Sequence, residues 1–163
     1  MSDQVPSLAF ADLLAYTDYL AKRWLNYFER NPAALTIDIG GRAGTVGGLV
    51  THIFQVENFF ADLLLQEGAG TGRPAQIASP ALEDMRGMHQ DAHKKLKQYI
   101  QSASEAMLQR TRTLGPVTVS ERKTLAQAVL HSVHHWAQIA MAVRQAGFPT
   151  EAPQDIIASP VMN

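Results

Sequence analysis

The run Val129-Leu130-His131-Ser132-Val133-His134-His135-Trp136-Ala137-Gln138-Ile139 carries two patterns at once. Val129, Ser132, Trp136, Ile139 and, further on, Val143 recur at spacings of three and four, the signature of a helix with one buried face. His131, His135 and Gln138 form a second row beside that face, at the edge of a core, where a cleft between two helices would lie. Outward from this run, the helix reaches back to Ser120-Glu121, a cap with an acidic first turn, and forward to Gly147, which closes it.

Three upstream stretches repeat the same period, separated by breaks rich in glycine and proline. Residues 7–30 set Leu13, Thr17, Leu20, Trp24 and Phe28 on one face. Asn31-Pro32 stops that helix, because proline removes a backbone donor and restricts the residue before it. Residues 45–66 follow, with Thr45 as the cap and Val46, Leu49, Ile53, Val56, Phe60 and Leu63 facing inward. Gly47-Gly48 in the first turn costs about 1 kcal/mol per glycine relative to alanine, which points to close approach by a neighbouring helix. Residues 79–113 open at Ser79-Pro80 and carry the stripe Leu82, Met85, His89, Ala92, Leu96, Ile100, Ala103 and Met107 before Leu114-Gly115-Pro116 ends them. No strand pattern, internal repeat or low-complexity tract stands out. The tail from about residue 148 is expected to lie as an extended strap over the helices.

Four amphipathic helices in one chain predict an all-α four-helix bundle, a single domain over residues 1–163. The link of about 13 residues between the second and third helices can reach roughly 43 Å. The second helix is only roughly 33 Å long, so the two helices can run parallel; periodicity leaves the choice open.

Composition narrows the function. Hydrophobic residues make up 46% and charged residues 18%, which excludes a disordered chain. A net charge of −1 leaves no basic surplus for a nucleic-acid backbone. With no cysteine, disulfides, thiolate metal sites and a cysteine nucleophile are excluded, and any metal falls to histidines and carboxylates. The opening MSDQVPSLAF lacks a basic stretch followed by an apolar run, and no segment approaches 18 uninterrupted apolar residues. The expectation is a cytoplasmic protein without a membrane span.

All six histidines (His52, His89, His93, His131, His134 and His135) fall on the second, third and fourth helices. His131 and His135 are one turn apart and can bind a single ion, for which imidazole suits zinc, nickel, copper and iron. On spacing alone, two solvent-facing or core-satisfied histidines is the plainer reading. His52 precedes core residue Ile53 and can meet the pair across the bundle; taken alone it reads as a buried, hydrogen-bonded histidine. Three imidazoles would leave coordination positions open, the pattern of a reactive rather than a structural metal. A short link between the last two helices would set His93 roughly 7.5 Å along the axis from His135, and His89 roughly 13.5 Å. His93 is therefore a candidate to support the ligands or contact substrate, and His89 a core-facing histidine with a local partner. His134 points away and is peripheral. Glu57, about 140° around the helix from His52, reads as a surface or interhelical carboxylate.

With these residues in view, the chain resembles the DinB/YfiT-like family. The likeness is carried by Leu49-Val50-Thr51-His52-Ile53-Phe54-Gln55-Val56-Glu57, by the run from Val129 to Ile139, by Arg144-Gln145-Ala146-Gly147-Phe148-Pro149 and by Asp155-Ile156-Ile157. The resemblance implies a bundle of up-down-down-up order with a long crossover between the second and third helices. It implies one divalent metal held by His52, His131 and His135, and a homodimer. Many members of the family are metal-dependent transferases of a low-molecular-weight thiol. One departure is Trp136-Ala137-Gln138, where the family often has Arg-Gly-Gln. The missing arginine would have offered a cation to an anionic substrate; Gln138 remains as a donor or acceptor beside the ligands.

The leading expectation is a metal-dependent enzyme of thiol S-transferase or hydrolase type, acting on a small molecule with no catalytic residue assigned. Its metal would be zinc or nickel first, with iron or manganese as alternatives. A hemerythrin-like di-iron protein for oxygen binding or sensing, and a non-enzymatic dimeric interaction module, are the competing classes.

Overall fold

The computed structural model describes residues 9–65, 80–149 and 155–161. Among them the chain is mostly helical, with α1 (Phe10–Arg30), α2 (Val46–Leu65), α3 (Leu82–Ser102), α4 (Glu105–Gln109) and α5 (Glu121–Gln145). Two small antiparallel hairpins pair β1 (Asp38–Gly40) with β2 (Gly44–Thr45) and β3 (Thr111–Leu114) with β4 (Val117–Ser120).

The helix ends follow from local chemistry. The Ser120 hydroxyl accepts from the Lys123 amide at 3.1 Å and caps α5, where the sequence places the cap. At α1 and α3 the residue before the helix is alanine, and a carboxylate in the first turn reaches back instead. Asp12 accepts from the Ala9 amide at 3.0 Å, and Asp84 accepts from the Ala81 amide at 3.2 Å. The cap of α3 is thus Ala81; Ser79 lies outside the described residues, as does most of the crossover.

Three expectations are corrected. The third helix does not run to residue 113: it ends at Ser102, and Ser104 starts the short α4 by accepting from the Met107 amide. Beyond it, Leu114-Gly115-Pro116 is the turn of a hairpin registered from Thr111 opposite Ser120 to Leu114 opposite Val117. Threonines and valines favour the pleated surface, and Gly115, at φ 58°, supplies the left-handed residue of a two-residue turn. Gly47 and Gly48 do meet close backbone, Gly47 that of the short 3-10 helix Pro32–Thr36 and Gly48 that of the turn just before α2, rather than that of one of the long helices. A Cβ on Gly48 would stand 2.0 Å from the Ala43 carbonyl oxygen, and one on Gly47 3.1 Å from that of Leu35.

Both α1 and α2 pack on α3 and α5. The Asn58 amide donates to the Met88 carbonyl at 2.8 Å and Lys95 reaches Asp62 at 2.7 Å, so residue numbers rise together along α2 and α3. Arg86 reaches Glu29 at 2.8 Å while His89 reaches Asp18 at 3.0 Å, so they run oppositely along α1 and α3. One core cluster centres on Trp24, Phe28, Phe54 and Trp136, with the two indoles stacked 6.0 Å apart. A second gathers Leu14, Ala61, Leu64, Leu96, Tyr99, Leu125 and Ala128. In the tail, the Tyr27 hydroxyl donates to the Pro149 carbonyl at 2.9 Å, and Ile156–Ala158 forms a 3-10 turn rather than an extended strap. Residues 150–154 of that tail lie outside the described residues. No helix among the described residues is long and apolar enough to cross a membrane.

Candidate metal centre

His52 stands in the second turn of α2, and His131 and His135 stand one turn apart near the middle of α5. Packing of α2 against α5 brings the three rings together, with centroid separations of 5.0, 5.2 and 4.4 Å. One ring nitrogen from each lies within 4.8 Å of the other two, and the group contains no carboxylate. His131 and His135 are half-buried and His52 is exposed, so the cluster meets solvent on the α2 side. His52 is therefore not the buried histidine that its position taken alone suggests.

The Nε2 atoms of His131 and His135 are 3.1 Å apart. Two nitrogens on one tetrahedral ion, each roughly 2.0–2.1 Å from it, would stand about 3.4 Å apart, so this pair is already at ligand spacing. His52 must close in by rotating about its side-chain bonds, which its exposure permits. Burial, with the neighbouring imidazoles His135, His52 and His134, pushes His131 down to about 4. At neutral pH it is an uncharged donor, the form a metal requires.

Gln138 sits beside the pair as expected. Its Oε1 accepts from His135 Nδ1 at 2.6 Å, and its Nε2 lies 3.3 Å from His134 Nε2. His134 is exposed and peripheral.

The second histidine pair lies elsewhere. His89 is only 4% exposed; its Nε2 is 3.0 Å from Asp18 Oδ1 and its Nδ1 3.9 Å from Glu57 Oε2. His93 places Nδ1 3.8 Å from the same Asp18 oxygen. Both histidines of α3 thus face α1 and the inner side of α2, and neither belongs to the α2–α5 group. Glu57 is buried between helices rather than on the surface. Asp18, 71 residues from His89, escaped sequence reasoning. The one signal was its place beside core residue Thr17, the same edge-of-core position that singled out His131.

This interior cluster sets a pH dependence. Burial would raise the Asp18 carboxyl, but hydrogen bonds from His89 and Lys22 outweigh it and hold the group at about 2. Burial would lower His89, but its bond to Asp18, with Glu57 close by, raises it above the ordinary histidine value. A depressed carboxylate contributes stability above its unfolded value, lost as pH falls from about 4 towards 2. A raised histidine contributes stability below its unfolded value, lost as pH rises from about 6.5 through its folded value. Denaturant unfolding across this range should therefore show both limbs in the wild type and flatter ones in Asp18→Asn. Equal slopes in the two proteins would contradict the pairing.

The DinB family model matches residues 1–157 of the chain. A search among curated proteins found no match.

Proposed function

The chain belongs to the DinB family, and from that premise we propose that it holds one divalent transition metal on His52, His131 and His135 and works as a metal-dependent enzyme of thiol S-transferase or hydrolase type. The observation that carries the reading is the convergence of three imidazole nitrogens from two helices within 4.8 Å. Three neutral nitrogen donors suit zinc or nickel first, then iron or manganese. When bound, such an ion supplies Lewis acidity that generates a thiolate or hydroxide at neutral pH.

The chain's own residues supply the rest. The buried Trp136 ring closes the core side of α5, while exposed His52 leaves the cluster accessible to a small molecule. Gln138 holds His135 by its outer nitrogen. The architecture we read is an up-down-down-up bundle with its long crossover between α2 and α3, supported by the shared direction of those two helices. A low-molecular-weight thiol as cosubstrate and a homodimer complete the reading, both taken from the family resemblance. His93, set against Asp18, is given no part in it. The di-iron alternative needs the second histidine pair beside the first, and His89 and His93 are engaged by Asp18 and Glu57 instead.

Elemental mass spectrometry of untagged protein, purified without chelator, tests the reading. About one transition metal per chain is the expected result. About two irons per chain would replace it with the di-iron alternative. No metal, even after reconstitution with zinc, nickel, manganese and iron(II), would overturn it and leave the non-enzymatic module.

A further inference from the structure

We infer that Gln138, oriented by His134, fixes which ring nitrogen His135 presents to the α2–α5 cluster and is a positioning residue for it. The consequence for metal affinity rests on the metal-binding reading above; the tautomer assignment does not.

The argument follows donors and acceptors. Gln138 Oε1, an amide oxygen, can only accept, and it lies 2.6 Å from His135 Nδ1. His135 therefore carries its proton on Nδ1 and keeps a lone pair on Nε2, the atom facing His131. The sense of the amide follows from His131. A reversed amide would need the His135 proton on Nε2, and neutral His131 would then carry its own proton on buried Nδ1, where no acceptor meets it. In the sense adopted, Gln138 Nε2 lies 3.3 Å from His134 Nε2 and donates to it. Along α5 the order is thus His135 Nδ1–H to Gln138 Oε1, then Gln138 Nε2–H to His134.

This order has a consequence for His131. Its Nε2 lies 3.1 Å from the lone pair on His135 Nε2, and its Nδ1 is buried without a hydrogen-bond partner. Without an ion, the proton of neutral His131 belongs on Nε2, where it finds an acceptor; on Nδ1 it would be a buried donor with none. The two ligands are then held in opposite tautomers. To offer Nε2 to an ion, His131 would have to carry its proton on Nδ1, whereas His135 already keeps Nε2 unprotonated. A hydrogen bond to a metal-ligating histidine typically changes affinity by about 10–100-fold.

The plain alternative is an exposed glutamine making an incidental contact three residues along its own helix. Two measurements on the full chain separate these readings. The first is 1H–15N correlation of the imidazole nitrogens in uniformly labelled, chelator-stripped protein. The second is zinc(II) affinity by competition with a chromophoric chelator. In the wild type, His135 should show a protonated Nδ1 and His131 a protonated Nε2. Gln138→Leu should lose the fixed His135 tautomer and bind zinc about 10–100-fold more weakly. Gln138→Glu, whose carboxylate still accepts from Nδ1–H, should restore the tautomer and most of the affinity. His134→Ala should loosen the tautomer less than Gln138→Leu does. A wild-type His135 protonated on Nε2, or a Gln138→Leu variant with unchanged tautomer and unchanged affinity, overturns the inference. If the wild type binds no zinc while the tautomer still depends on Gln138, the metal reading falls and the assignment of Gln138 stands.

Discussion

The double variant His131→Ala/His135→Ala should bind zinc about ten-thousandfold more weakly than the wild type while remaining folded. A four-ligand zinc site contributes roughly 10–16 kcal/mol, or about 3 kcal/mol per ligand. Removing two of three ligands then costs about 6 kcal/mol, a little over four decades. Nothing comparable is lost from the metal-free fold. Both imidazoles are only half-buried, and the bonds they make are to each other and to Gln138. The core stripe on the same helix, Val129, Ser132, Trp136 and Ile139, is untouched. Saturating zinc should therefore raise the unfolding temperature of the wild type and leave that of the double variant where it was. His52→Ala alone should cost about two decades, since one ligand in three is lost. A double variant that binds zinc as tightly as the wild type would mean that the three rings meet without holding an ion.

The contrast between what the sequence disclosed and what it hid follows from the range of the forces involved. Helix positions were legible because each rests on contacts within a few residues. The stripe of α5 and the stop at Asn31-Pro32 lie where the periodicity put them. The hairpin at residues 111–120 was hidden because Ala103 and Met107 continue the helical stripe of α3 past its true end. Both are partly buried against the second core cluster, as the pattern says, but across a break at Ser104. A closer reading had a signal in Thr111-Arg112-Thr113-Leu114 and Val117-Thr118-Val119-Ser120, β-branched runs on either side of Gly115-Pro116. That break also removed the basis for placing His93 near His135, which assumed a short link between the last two helices. At the candidate site, the His131 and His135 spacing is a property of one helix and was readable. The approach of His52 depends on how α2 packs against α5, and the hold of Asp18 and Glu57 on His89 on how three helices meet. Periodicity carries neither distance.

Glu121→Ala should destabilise the fold by about 2–4 kcal/mol, less than the loss of a fully buried ion pair because the Arg112 and Arg110 side chains are 21% and 46% exposed. Glu121 is 1% exposed at the first position of α5. Its Oε2 accepts from the Tyr99 hydroxyl at 2.6 Å and from Arg110 at 3.1 Å. Its Oε1 takes Arg112 Nη2 at 2.7 Å and Nε at 3.1 Å. One carboxylate thus ties α3, the β3–β4 hairpin and the start of α5 together. Burial would raise its pKa, yet the Tyr99 hydroxyl and the arginines hold it below the usual glutamate value, so it is charged at neutral pH. Burial together with the bond to Glu121 pushes the tyrosine up to about 12. Alanine would leave the Arg112 guanidinium without its counter-charge and the buried tyrosine hydroxyl without its acceptor, and the desolvation cost of that hydroxyl would remain. Tyr99→Phe, which removes only the neutral partner, should cost about 1–3 kcal/mol. For a chain of this length, the alanine variant should melt roughly 10 °C below the wild type. Zinc affinity should not follow, because Glu121 lies ten residues before His131, roughly 15 Å along the same helix. Calorimetric unfolding beside zinc competition separates the two. A variant that loses stability but keeps its affinity confirms Glu121 as a purely structural tie. An alanine variant as stable as the wild type would mean that water replaces the carboxylate at little cost and that the hairpin keeps its place without the ion pair.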